Sequence, residues 1–224
     1  MTSDPAAAVD HAVLRRDVDG ATAAHRRLLD TVADLGDDDL RRPSSLPDWT
    51  IGHVLAHLAR NADSHVRLLD AGTRGEVADQ YEGGTAGRAD EIERDAALPA
   101  DVLIAQLRTA TEALEQRWAT MPAEAWGGSG RSLAGDVALA DLPFRRWRET
   151  ELHHTDLGLG HTPDHWPTLY VRLELVRMER QWAARRPMGL TLLPREALAA
   201  APAQRLAWLV GRGGIDGLAP AGIF

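Results

Sequence analysis

Cysteine is absent from this chain of 224 residues. A disulfide framework, a cysteine-ligated metal and a thiol nucleophile of the protein's own are therefore excluded. Any thiol chemistry here needs a thiol brought by a cofactor. Long apolar runs are also missing. None approaches the ~18 residues of a membrane-spanning helix. The N-terminus, MTSDPAAAVDHAVLRRD, lacks a basic start followed by an apolar stretch, so no secretory signal is expected and a cytoplasmic setting is. There is no excess of positive charge. The formal net charge is -8, with 25 basic against 33 acidic residues, which argues against general nucleic-acid binding. Basic residues do cluster in RRWR (Arg145, Arg146, Arg148) and RMERQWAARR. Such clusters either hold an anionic ligand or form solvated helix faces and salt bridges. No internal repeat and no low-complexity tract is present.

What remains is the composition of a soluble globular protein, with 44% hydrophobic and 26% charged residues. The length suits one medium domain, or a larger domain with a small appendage. The spacing of Val13, Val18, Ala21, Leu28, Leu29, Val32 and Leu35 predicts a helix from about Ala7 to Leu35. PSSLPDWT breaks it, and Thr50 is a good N-cap for a second helix reaching about Ala71. Residues 72–100, rich in glycine, read as a long loop. A third helix is expected over about Ala100–Thr120, with Val102, Leu103, Leu107, Leu114 and Trp118 inward. MPAEAWGGSGRS reads as a turn region. The following stretch to Gly158 reads as a fourth helix, with Leu142, Phe144, Trp147 and Leu152 inward. Four long helices suggest an up-down bundle. The pattern then changes to a helix over about Thr168–Arg185, a strand candidate in GLTLLP (Gly189–Pro194) and a last helix before a glycine-rich stop. The expected fold class is thus mainly α: a four-helix bundle over 1–158 and a small α/β domain over 159–224. Trp49, Trp118 and Trp147 are expected to pack the bundle. Trp166, Trp182 and Trp208 are expected to pack the second domain onto the first, and Trp126 is ambiguous.

Two pairs of donors share one spacing. His53 and His57 lie in GHVLAHLARN, and Glu149 and His153 lie in RRWRETELHHTDLG. Residues i and i+4 share a helix face, so each pair can point at one spot. Nitrogen and oxygen donors from two helices make a divalent-metal site, and Zn²⁺ held by two His and a carboxylate with an open position is a catalytic arrangement. The competing reading is a set of hydrogen-bonded bundle histidines. HExxH is absent, since Val54 follows His53, which argues against a metalloprotease of that kind. His154 and Glu151 sit about 100° of helix rotation away from their neighbours in the pair and should not share the metal. His65 and Asp63 read as surface or bundle polar residues.

Taken together, LPDWTIGHVLAHLARNADSHVRLL, GRADEIE around Arg88, RWRETELHHTDLG and the terminal GRGGIDG at Arg212 resemble the mycothiol-dependent maleylpyruvate isomerase family, part of a wider DinB-like group of metal-binding four-helix bundles. The resemblance runs over almost the whole chain. It implies that His57, Glu149 and His153 hold a zinc ion, or another of Ni²⁺, Mn²⁺ and Fe²⁺, with His53 outside the ligand set in a supporting role. It implies mycothiol as the thiol cofactor. It places Arg88 and Arg212 at or near the active site, where guanidinium groups suit a dicarboxylate substrate and Arg212 suits a developing enolate. Asp156 either orients a metal-bound His or is a surface residue at a helix end. The implied activity is cis-trans isomerisation of a maleylpyruvate-like dicarboxylate by thiolate addition and elimination. The alternatives are thiol S-transfer to an electrophile, and a non-catalytic metal- or ligand-binding bundle. A monomer acting on a small molecule, without nucleic-acid or membrane partners, is expected.

Overall fold

The computed structural model describes residues 9–185 and 191–223. They fall into two compact units, Met1–His153 and His154–Phe224. The division lies a few residues before the expected boundary at 158.

In the first unit the long helices are α1 (His11–Val32), α3 (Ile51–Thr73), α5 (Ala100–Thr120) and α6 (Leu142–Asp156), with a single short turn of helix, α2 (Asp37–Leu40). The predicted helix ends agree to within a few residues, except that α6 begins at Leu142 rather than near Ala134 and α1 begins at His11; Ala7 and Ala8 lie outside the described residues. Helix α3 is the central one. Ile51, Val54, Leu55, Ala56, Leu58, Ala59, Ala62, Leu68 and Leu69 are all fully buried. A helix apolar on nearly every side belongs in a core, and its alanines let neighbours approach closely. Val13 and Val102, expected inward, are each 40% exposed.

Two expectations are corrected. Residues Gly84–Ala96 form a helix, α4, rather than loop. Only Ile92 and Asp95 of it are buried, so no apolar stripe announces it. Polar ties bind it to α3 instead: Arg60 Nε to Asp95 at 2.7 Å and His53 Nε2 to Glu93 at 3.2 Å. Gly52 permits the approach, since a Cβ there would stand 3.0 Å from the Ala96 carbonyl. The second correction is a β-hairpin in the region read as turn and helix start. Strands β1 (Ser129–Ser132) and β2 (Gly135–Ala138) pair antiparallel, Ser129 opposite Ala138 and Ser132 opposite Gly135. SGRS and GDVA have poor strand propensity, so the pairing rests on context. Arg131 N–H donates to the Ala78 carbonyl, Gln80 N–H donates to the Arg131 carbonyl, and Gly135 supplies φ 113° at the turn.

The second unit carries α7 (Thr168–Ala184), α8 (Arg195–Ala199) and α9 (Pro202–Leu209). Trp166 packs edge-on against Tyr170, and Trp182 against Trp208 at 4.9 Å. The expected strand over Gly189–Pro194 is not formed at residues 191–194; Gly189 and Leu190 lie outside the described residues. Among the described residues of this unit no strand offers it a partner. Its backbone is tied to α7, through Thr191 N–H to the Ala183 carbonyl and Trp182 Nε1–H to the Leu192 carbonyl. Among the described residues no helix is long and apolar enough to cross a membrane.

Candidate metal centre

Thr50 starts α3 with a reciprocal cap. Its hydroxyl accepts from the His53 amide, and the Thr50 amide donates to His53 Nδ1 at 3.2 Å. His53 is thereby spent on the helix start and on Glu93, and is not among the clustered donors. One turn later comes His57, 4% exposed, against the edge of Trp49 at 5.7 Å. From α6, Glu149 and His153 meet it. His57 Nε2 lies 3.2 Å from Glu149 Oε2 and 3.1 Å from His153 Nε2, and His153 Nε2 lies 3.4 Å from Glu149 Oε2. Among the described residues these form one group of His and carboxylate donors able to hold an ion.

The triangle tests the fit to a metal. Tetrahedral bonds of 2.0–2.1 Å put ligand atoms about 3.3–3.4 Å apart, close to what these atoms show. Protonation favours it as well. Burial, with His153 and Arg88 adding to it, pushes the His57 ring down to about 4 despite its bond to Glu149, so the ring is neutral near pH 7. Burial raises the Glu149 carboxyl, but the bonds from His153 and His57 outweigh it and hold the group well below the usual carboxylate range. Neutral imidazole and ionised carboxylate are the forms that bind a divalent ion.

Arg88 is on α4, not in a loop, and its Nη2 donates to His57 Nδ1 at 2.9 Å. This is unusual, because the far nitrogen of a ligating His commonly donates to an acceptor. With an ion on Nε2 the neutral ring carries its proton on Nδ1. Arg88 and Nδ1–H are then both donors, and the contact is not a hydrogen bond in that state.

The neighbours expected to be bystanders are otherwise engaged. Glu151 accepts from Trp147 Nε1 at 2.9 Å and from Arg27 at 2.5 Å. In the second unit, His154 stacks on His161 at 3.8 Å. There too, Asp156 is 2% exposed and receives Arg212 bidentately, at 3.0 and 2.8 Å. The surface reading of Asp156 is thus overturned, and Arg212 is held by a carboxylate of its own unit.

Two features escaped the sequence reading. Trp49, expected only to pack, forms a wall beside His57. His65, expected as a surface or bundle polar residue, is a bundle residue, 2% exposed. Arg146, one of the basic cluster, is fully buried, donating to His25 Nε2, the Leu58 carbonyl and Asn61 Oδ1 at 2.8–2.9 Å. A charged side chain at such a depth has no signature in spacing alone.

Comparison with known proteins places the chain among relatives. Residues 21–158 match the family described as Mycothiol maleylpyruvate isomerase N-terminal domain. A crystal structure titled as the mycothiol-dependent maleylpyruvate isomerase matches with a TM-score of 0.81 at 22% identity, over 89% of this chain and 90% of that one. The structure of a histidine-to-alanine mutant of the mycothiol-dependent maleylpyruvate isomerase matches with a TM-score of 0.80 at 21% identity, over the same shares. At these identities the likeness establishes the fold. No curated protein matches the chain.

Proposed function

The chain belongs to the mycothiol maleylpyruvate isomerase N-terminal domain family, and from that premise we propose that it is a metal- and mycothiol-dependent enzyme converting a maleylpyruvate-like dicarboxylate from cis to trans. The observation that carries this reading is the triangle of His57, Glu149 and His153, with edges of 3.1–3.4 Å. These three side chains would hold the ion, zinc in the first instance. When bound, the ion supplies Lewis acidity that favours thiolate over thiol, and mycothiol supplies a nucleophile that adds to an activated cis double bond and leaves after the bond has rotated. The carbon–sulfur bond that forms is the one that breaks, so no atom is gained or lost.

The protein's own contributions follow from its geometry. His57 is already neutral and Glu149 already ionised, so these two would release no net proton on loading, although the His57 proton would have to pass from Nε2 to Nδ1. Trp49 shields one side of His57 from water. Arg88 loses its acceptor when Nδ1 becomes protonated, and its guanidinium then serves a substrate carboxylate in bidentate fashion. Arg212 is held by Asp156 within the second unit, and its proposed role toward a second carboxylate or a developing enolate rests on the family resemblance alone.

The test is the metal content of the purified protein, with mycothiol titrated in by calorimetry. The expected result is about one ion per chain, as one three-ligand site with an open position binds, and saturable thiol binding. Metal without thiol binding would point to a sensor or to hydrolytic chemistry. Neither would leave a structural bundle and sink the proposal.

A further inference from the structure

Beside the triangle, the first unit encloses a recess of about 140 Å³. Asn61, His65, Arg145, Arg148 and Glu149 line it, so it shares Glu149 with the ligand set. Its charge is one-sided. Its lining brings two guanidinium groups and one carboxylate together, with Arg148 paired to Glu149 at 3.5 Å. The recess therefore suits an anion.

Of its neutral polar groups, Gln80 donates to Ser64 and Ser132 to the Gly135 carbonyl, which leaves Asn61 and His65. His65 is 2% exposed, and its Nδ1 has no hydrogen-bond partner. Burial pushes the His65 ring down to about 3, so it is neutral and offers one N–H and one lone pair. A buried polar atom left unpaired costs about 1–3 kcal/mol, and an unpartnered Nδ1 on a ring that lines a cavity points to a ligand. Asn61 accepts from Arg146 through Oδ1 at 2.9 Å, which turns its amide N–H groups to other work. At the hairpin tip Leu133 and Ala134 close the recess, and Leu142 adds an apolar wall. The volume equals roughly five waters at ~30 Å³ each. That is room for one arm of a short acid, and too little for a sugar-bearing thiol.

We propose that this recess receives one carboxylate of a small unsaturated dicarboxylate, with Arg145 and Arg148 as its guanidinium pair and Asn61 and His65 as positioning donors. It would thereby fix which end of the substrate lies toward the metal centre. The proposal rests on the isomerase reading for the substrate's class, while the recess itself is defined by residues outside Arg88, Arg212 and two of the three ligands.

The experiment is calorimetric titration of maleate into zinc-loaded protein, for the unaltered chain and for Arg145→Gln, Arg145→Lys and His65→Phe. Zinc content, mycothiol binding and melting temperature are recorded on the same samples. The unaltered protein should bind maleate saturably. Arg145→Gln should weaken it tenfold or more and Arg145→Lys by less, since a lysine keeps the charge but loses the fork. His65→Phe should weaken it comparably by filling the recess. Zinc and mycothiol binding should be unchanged in all three. Unchanged maleate affinity in Arg145→Gln and His65→Phe would overturn the proposal, as would no saturable maleate binding in a protein that still takes zinc and mycothiol. Maleate binding that depends on Arg145 in a protein taking up neither zinc nor mycothiol would support the recess while sinking the isomerase reading.

Discussion

The two nitrogens of His57 face opposite demands. Nε2 points at Glu149 and His153, and Nδ1 accepts from Arg88. An ion held on Nε2 would leave the ring proton on Nδ1, where Arg88 would no longer find an acceptor. Arg88→Ala is therefore expected to leave zinc affinity unchanged or raise it; a weaker zinc site, measured by competition with a chelator, would show that Arg88 holds His57 in place. His57→Ala, Glu149→Ala and His153→Ala should each abolish tight binding, and His154→Ala should not, because His154 stacks on His161 instead. A second buried ring sets acid sensitivity. Arg146 can only donate, so His25 Nε2, which receives it, is unprotonated, and Nδ1–H faces Glu115 at 2.8 Å. Burial, aided by Arg146, lowers the His25 ring to about 4 despite Glu115. The unfolded chain takes up a proton near pH 6.5 while the folded one resists until about 4, so stability is full above pH 6.5 and falls as pH drops toward 4. At pH 5 the loss from His25 alone is about 2 kcal/mol, and His25→Gln should flatten the change in urea midpoint between pH 7 and pH 5. The i, i+4 spacing pointed to both donor pairs but also offered His53, which the Thr50 cap and Glu93 engage; the choice of His57, Glu149 and His153 came from the family resemblance. Arg146 was not legible, since only the fold reveals that three acceptors wait for it inside.

Helices with an apolar stripe were read from the sequence because burial of that stripe is what makes them helices. Helix α5 runs over Ala100–Thr120, as its periodicity predicts. Helix α4 and the hairpin escaped because both are stabilised from outside. Arg60, His53 and Gly52 hold the first, and residues 78–80 hold the second. Close approach between elements is written in glycines. A Cβ on Gly20 of α1 would run into the Trp147 ring of α6. Gly20→Ala should cost about 1–3 kcal/mol by overpacking, read as a lower urea midpoint; a neutral effect would mean that α1 shifts freely against α6. The Thr50 cap makes a separate prediction for α3. Thr50→Ala should cost about 1 kcal/mol, and because His57 lies in the next turn it should also weaken zinc binding.

At the scale of the whole molecule, the chain's 25 basic residues are all arginine. With neither lysine nor cysteine, it has no side-chain amine for a Schiff base and no thiol for a nucleophile, and its positive groups are forks suited to carboxylates. Metal binding joins α3 to α6, so it should stabilise the unit Met1–His153 as a body. At free zinc 100 times its dissociation constant the gain is about 2.7 kcal/mol, seen as an upward shift of that unit's melting transition and reversed by a chelator. No shift would mean that the ion binds the unfolded chain equally well. The most direct test of the central claim is to follow maleylpyruvate by proton NMR with the zinc-loaded protein and mycothiol far below the substrate concentration. Complete conversion to the trans isomer with mycothiol recovered intact is the predicted result. Mycothiol consumed mole for mole into an adduct, or no conversion at any mycothiol concentration, would contradict it.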